Sequence, residues 1–152
     1  MTAQETGGQA PSPFDRLAQQ WDDDPAKLQR ARAVASAIAQ RTTRGGVWLD
    51  YGAGTGALGL ALLGHADRLV LADSSAGMVA ASRAKIASAG LGEPVTAVRL
   101  ALAADDAAPE RYDGVASLLA LHHIADAGRV VGRLAGLLRP GGWLALADLD
   151  AE

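Results

Sequence analysis

Five short apolar runs spaced along the chain constrain its fold more than any other feature of the sequence. They occupy residues 47–49, 69–72, 95–100, 112–119 and 143–147, and helical patterns fill most of the intervals between them. A helix is expected over about 57–63. A second is capped by Ser75 and closes near Gly90. A third opens at Asp126, with apolar residues at 127, 130, 131, 134 and 138 and arginines at 129, 133 and 139 that read as a solvated face. Strands joined by helices require a parallel sheet with right-handed crossovers. The class is therefore α/β, a doubly wound sheet of the Rossmann-like kind.

Ahead of the first strand the pattern changes. Residues 1–13, rich in Gly, Gln, Thr, Ser and Pro, read as a disordered tail. Residues 14–44 read as a helical cap: a short helix over 14–21, then a longer one to about Arg41. Asp24 supplies the N-cap of that longer helix and Pro25 its first position. Its apolar stripe is Leu28, Ala31, Ala35, Ile38 and Ala39. The remaining 45–152 form the sheet domain.

Composition excludes several kinds of chemistry. There is no cysteine, so disulfides, thiolate zinc sites and CxxC redox centres are absent. The three histidines, His65, His122 and His123, lack metal-ligand spacing, and Asp22-Asp23-Asp24 reads as capping and solvation, so no metal is expected. A net charge of −3 gives no basic footprint for nucleic acid. No apolar stretch is long enough to span a membrane, and the N-terminus lacks the basic start and apolar run of a signal peptide, so a cytoplasmic protein is expected.

The chemistry concentrates where the first strand ends, at Asp50-Tyr51-Gly52-Ala53-Gly54-Thr55-Gly56. Glycines at a strand-to-helix turn let the backbone curl and let a ligand approach it closely. Asp50 puts a carboxylate beside that ligand. It would repel a pyrophosphate but suit a zwitterion carrying a sulfonium. Asp73 ends the second strand 21 residues after Gly52, where an acid can accept hydrogen bonds from two ribose hydroxyls. Gly54-x-Gly56-x-x-Gly59 also fits a dinucleotide fingerprint, which keeps an NAD-dependent oxidoreductase as an alternative.

These blocks resemble a known family. Asp50-x-Gly52-x-Gly54-x-Gly56 is similar to motif I of class I S-adenosylmethionine-dependent methyltransferases, and Leu71-Ala72-Asp73-Ser74-Ser75-x-x-Met78 to their second-strand signature. Tyr112-Asp113-Gly114-Val115-Ala116-Ser117 with Leu121-His122-His123-Ile124 resembles their fourth-strand block. Leu138-Arg139-Pro140-Gly141-Gly142-Trp143-Leu144 resembles their turn into strand five, and Phe14-Asp15-x-x-Ala18-x-x-Trp21-Asp22 a segment many bacterial members carry.

The resemblance implies strand order 3-2-1-4-5, S-adenosyl-L-methionine as cofactor with S-adenosyl-L-homocysteine as product, and a small-molecule acceptor. It implies that Gly52, Ala53 and Gly54 line the methionine part of the cofactor, with Asp50 near its amino group. Asp73 would hold the ribose hydroxyls, Ser74 would lie beside the adenine, and Ser117 would face the methionine moiety. No catalytic residue is implied; His122 and His123 read as loop residues beside the site, with a base role as the alternative. Trp21 either caps the cofactor or packs the N-terminal helices.

Two departures from the family stand out. Members often carry an acid after strand three for the adenine amino group; here register puts Leu102 there, and only Asp105 or Asp106 could replace it. Members also continue with strands six and seven, so the chain reads as a form shortened after strand five. Residues 143–147 would then be an apolar edge open to self-association or to a partner. A cofactor-binding or scaffold domain without activity is the second reading.

Overall fold

The computed structural model describes residues 24–104 and 110–150. Its elements run in the order helix α1 (Pro25–Arg41), strand β1 (Val47–Tyr51), helix α2 (Ala57–Ala61), strand β2 (Arg68–Asp73), helix α3 (Ala76–Ser88) and strand β3 (Val95–Arg99). Strand β4 (Tyr112–Leu118), helix α4 (Ala127–Gly136) and strand β5 (Leu138–Ala147) follow. Single 3₁₀ turns at Leu102–Ala104 and Leu121–His123 flank β4. The five strands form one sheet in the order β3-β2-β1-β4-β5, and every pairing is parallel. The expected order and class are both observed.

Why these runs become central strands is visible in their burial. Successive strand residues point to opposite faces, and a parallel sheet covered on both faces needs apolar side chains at both parities. Trp48, Leu69, Leu71 and Ala116 face one core with Ala31, Ala35 and Ile38 of α1, Leu58 of α2 and Val79 and Ile86 of α3. Leu49, Val70, Ala72 and Val115 face the other, with Val130 and Leu134 of α4 and with Leu102 and Leu121 from the two turns. Helix α1 starts as its caps dictate, with Asp24 accepting from the Ala26 amide at 2.9 Å. Of its expected stripe, Ala31, Ala35 and Ile38 are buried, while Ala39 is exposed and Val34 takes up packing instead. Ser75 caps α3 by accepting from the Met78 amide at 3.1 Å.

The largest departure from the expected boundaries lies between α4 and β5. Helix α4 stops at Gly136 rather than near 139, and Leu138 already pairs with Tyr112. The register then jumps, with Gly114 opposite Trp143, so Pro140-Gly141-Gly142 forms a bulge inside β5 instead of a turn ahead of it. Arg139 is thereby drawn off the helix and donates to Asp113 at 2.6 Å. Arg133 donates to the Leu102 carbonyl. Neither belongs to a purely solvated face. Strand β5 is the edge of the sheet, with Trp143 and Leu146 about 40% exposed (42% and 39%).

The expected helix over 14–21, Trp21, the first two aspartates of the Asp22-Asp23-Asp24 run, and Asp105 and Asp106 lie outside the described residues. Among the described residues no helix is long and apolar enough to cross a membrane, and no group of three candidate ligands could hold a metal.

Candidate functional site

In an open parallel sheet the order reverses between the strands on either side of the first, and loops leaving the carboxyl ends there diverge to leave a crevice. Here that point lies between β1 and β4, and a cavity of about 260 Å³ opens at it. Its floor is Asp50, Tyr51, Gly52, Ala53 and Gly54. One side is Asp73, Ser74 and Met78, and the opposite side runs from Leu118 to Ala120 and on to His123 and Ile124. Helix α1 closes it with Lys27, Arg30 and Ala31, three residues spaced i, i+3, i+4 on one helical face.

Glycine is required both in the loop after β1, at Gly52, and within α2, at Gly59. Gly52 has φ +69°, and a Cβ there would stand 2.3 Å from Ala120 Cβ across the crevice. At Gly59 a Cβ would meet Leu71 Cδ2 at 2.2 Å, so only glycine lets α2 sit this close to β2. That close approach brings the Gly59 amide to Asp50 Oδ2 at 2.9 Å.

Asp50 is 1% exposed. Burial pushes its carboxyl up to about 7; the bond from Gly59 opposes the rise, and the nearby Asp73 charge adds to it. Asp73 is held differently. Its Oδ2 accepts from the Gly54 amide at 2.8 Å and its Oδ1 from the Ser75 amide at 2.9 Å. One carboxylate thus ties the glycine loop to the start of α3. The cavity is electrically asymmetric, with two acids on the strand side and two cations on the α1 side.

Six of the seven expected site residues line this cavity: Asp50, Gly52, Ala53, Gly54, Asp73 and Ser74. Ser117 does not. It is 1% exposed and donates its hydroxyl to the Tyr51 carbonyl at 2.8 Å, pinning β4 to β1 beneath the crevice. Leu102 is buried in the core, 1% exposed, with its amide donating to the Tyr51 hydroxyl at 3.0 Å.

Other features of the site were not anticipated. Leu119 is the one non-glycine residue with positive φ (53°) among those described, and it lies on the cavity wall where β4 ends. Such a conformation is uncommon for a bulky side chain. It is held by the Leu119 amide donating to the Ala147 carbonyl at 2.8 Å. Just after β5, Asp148 accepts from the Leu121 amide at 2.8 Å and bonds His122 Nδ1 at 2.6 Å. Partial burial raises the Asp148 carboxyl, but bonds from Leu149, His122 and Leu121 outweigh it and leave the group below its ordinary value. His122 is thus fastened to β5, and its ring lies 3.9 Å from that of His123, which faces the cavity. Lys27, Arg30, Leu119 and Asp148 belong to no motif recognised in the sequence; only the helical spacing of the first two could have drawn attention to them.

Residues 49–144 match the profile of the methyltransferase domain family. The ubiquinone biosynthesis O-methyltransferase of Nitrobacter winogradskyi is 28% identical over 154 residues, covering 90% of this chain and 58% of the relative. Among solved structures, a Methanococcus maripaludis protein described as a candidate S-adenosyl-L-methionine-dependent methyltransferase superposes with a TM-score of 0.77 at 21% identity, over 91% of this chain and 66% of that one. A SAM-dependent methyltransferase of Aquifex aeolicus gives 0.75 at 18% identity, over 91% and 74%. A DhpI–SAM–HEP complex gives 0.71 at 24% identity, over 91% and 64%. The chain therefore spans somewhat under two thirds of the curated relative.

Proposed function

The chain belongs to the methyltransferase domain family, and from that premise we propose that it binds S-adenosyl-L-methionine in the β1/β4 cavity and serves transfer of its methyl group to a small-molecule acceptor, leaving S-adenosyl-L-homocysteine. The observation that carries this reading is the asymmetric cavity. A buried carboxylate at Asp50 has a backbone amide as its hydrogen-bond partner and lines a cavity whose far wall is cationic. A ligand with an ammonium and a sulfonium toward the acids and a carboxylate toward Lys27 and Arg30 satisfies both ends. A dinucleotide pyrophosphate would place its negative charge against Asp50.

In this reading Gly52, Ala53 and Gly54 pass beneath the methionine part and Asp50 meets the amino group. Asp73 accepts from the ribose hydroxyls. An ionised carboxylate offers about four lone-pair sites, so its two backbone bonds orient it for that task. Ser74 lies beside the adenine. When bound, the cofactor supplies a methyl group on a positively charged sulfur. The protein's contribution is then to hold acceptor and donor in line, and alignment of this kind is worth roughly 7–11 kcal/mol of barrier. Leu118 to Ala120 with Ile124 give the cavity an apolar wall opposite Asp73 and Ser74.

A small acceptor fits a net charge of −3, which offers no attraction to a phosphate backbone. The curated relative is an O-methyltransferase of ubiquinone biosynthesis, which is consistent with a small acceptor. Incubation with methyl-labelled cofactor and a panel of phenols, amines, thiols and carboxylic acids tests the activity. Label transfer to one class establishes the enzyme. Retained S-adenosyl-L-homocysteine binding without transfer to any of them makes the chain a cofactor-binding domain. Affinity for NAD in place of S-adenosyl-L-homocysteine would overturn both.

A further inference from the structure

We propose that Ser82, a residue of α3 outside every motif considered above, is a positioning residue that fixes the glycine loop in its ligand-binding conformation by holding the Gly54 carbonyl. The inference rests on the reading of the cavity as a S-adenosyl-L-methionine site.

Ser82 lies in the middle of a helix, where serine is a poorer helix former than alanine, and it is 2% exposed. Neither propensity nor solvation accounts for a hydroxyl there. A mid-helix serine commonly returns its hydroxyl to a carbonyl one turn earlier in its own helix. Ser82 instead leaves its helix and donates to the Gly54 carbonyl at 2.9 Å, 28 residues back in the chain. On the other side of the same residue, the Gly54 amide donates to Asp73 Oδ2 at 2.8 Å. Gly54 is thus clamped at both of its polar groups, from β2 at the amide and from α3 at the carbonyl.

The clamp is reinforced around it. One turn beyond Ser82, Lys85 Nζ donates to Thr55 Oγ1 at 3.4 Å, and Thr55 is 2% exposed. One turn before, Met78 lines the cavity. Positions 78, 82 and 85 fall on one helical face, so α3 is applied to the loop over two turns. The helix is itself registered to the loop at its start, because the Ser75 amide donates to the second oxygen of Asp73. Ser82 and Asp73 therefore act as the two jaws that hold Gly54 against the cavity.

The test is calorimetric titration of S-adenosyl-L-homocysteine into the wild-type chain, Ser82→Ala and Ser82→Cys, with hydrogen exchange of the Gly54 amide followed by NMR in each ligand-free protein. Cysteine keeps the shape of serine with a somewhat larger sulfur in place of the oxygen, and is a weak donor. Both variants are expected to weaken binding by about tenfold or more, equivalent to about 1.4 kcal/mol, and to speed Gly54 exchange while unfolding cooperatively. If Ser82→Ala does not fold, Ser82→Cys carries the test. Binding within about threefold of wild type by a folded variant overturns the proposal, whatever the exchange shows, since a purely structural serine would lower stability and leave affinity alone. Failure of the wild-type chain to bind removes instead the functional reading on which the inference rests.

Discussion

Asp50→Asn is the substitution whose consequence the structure states most sharply. A carboxyl that ionises at its ordinary value of 3.8 in the unfolded chain and near 7 in the folded one makes folding unfavourable to the extent that the charge must be buried. Its folded pKa is raised, so between pH 4 and 7 the unfolded chain loses this proton first, and stability falls as pH rises through that window, levelling above 7. At about 1.4 kcal/mol per pH unit, the full cost at pH 8 is about 4 kcal/mol, and at pH 5 less than half of that. Asparagine keeps an acceptor for the Gly59 amide and carries no charge. Its unpartnered NH₂ adds a penalty of roughly 1–3 kcal/mol, the same at every pH. The gap between variant and wild type should therefore widen in the variant's favour by roughly 2–3 kcal/mol from pH 5 to pH 8. Urea unfolding of both proteins at pH 5, 6, 7 and 8 measures it. Parallel stability curves, with a constant gap, would mean that Asp50 ionises in the folded chain much as it does in water.

Other perturbations follow from single contacts. Gly59→Ala forces a Cβ to within 2.2 Å of Leu71 Cδ2, in a side chain packed in the core at 1% exposure, so a loss of about 1–3 kcal/mol is expected; an unchanged Tm would show that Leu71 or α2 shifts freely. Replacing both Lys27 and Arg30 by alanine should weaken S-adenosyl-L-homocysteine about tenfold or more by calorimetry, yet spare 5′-methylthioadenosine, which lacks the amino-acid end. Equal effects on the two ligands would remove the α1 wall from the carboxylate's binding site. The 152-residue chain should self-associate through the β5 edge, with Leu146→Lys shifting light scattering toward monomer; a monomeric wild type at high concentration would count against it.

Much of this arrangement was legible from local pattern. The central runs became β1, β2 and β4 because a doubly covered parallel sheet leaves them no wet face. The caps at Asp24, Ser75 and Asp126 were readable because each bonds an amide two or three residues away. The crevice and its two acids were readable because both sit where strands end, at a spacing a strand–helix–strand unit dictates. What escaped was set by partners distant in the chain. Ser117 turned away from the cavity to the Tyr51 carbonyl, 66 residues off. Asp148 found His122 across 26 residues, and Ser82 found Gly54 across 28. Helix α4 ended early because the Tyr112 amide claims the Leu137 carbonyl at 2.9 Å, a sheet contact that overrides a helical stripe continuing through 138. Leu119 carries no residue-type signal for a left-handed backbone; the bond to Ala147 imposes it.

If the β1/β4 cavity, organised by Asp73, is an S-adenosyl-L-methionine site, ligand affinity must depend on that carboxylate. Calorimetric titration of S-adenosyl-L-homocysteine into the wild-type chain and Asp73→Ala measures that dependence. Micromolar binding by the wild type, weakened about tenfold or more (about 1.4 kcal/mol) by the substitution, is the predicted result. No binding by a folded wild-type chain, or equal affinity in Asp73→Ala, would contradict it.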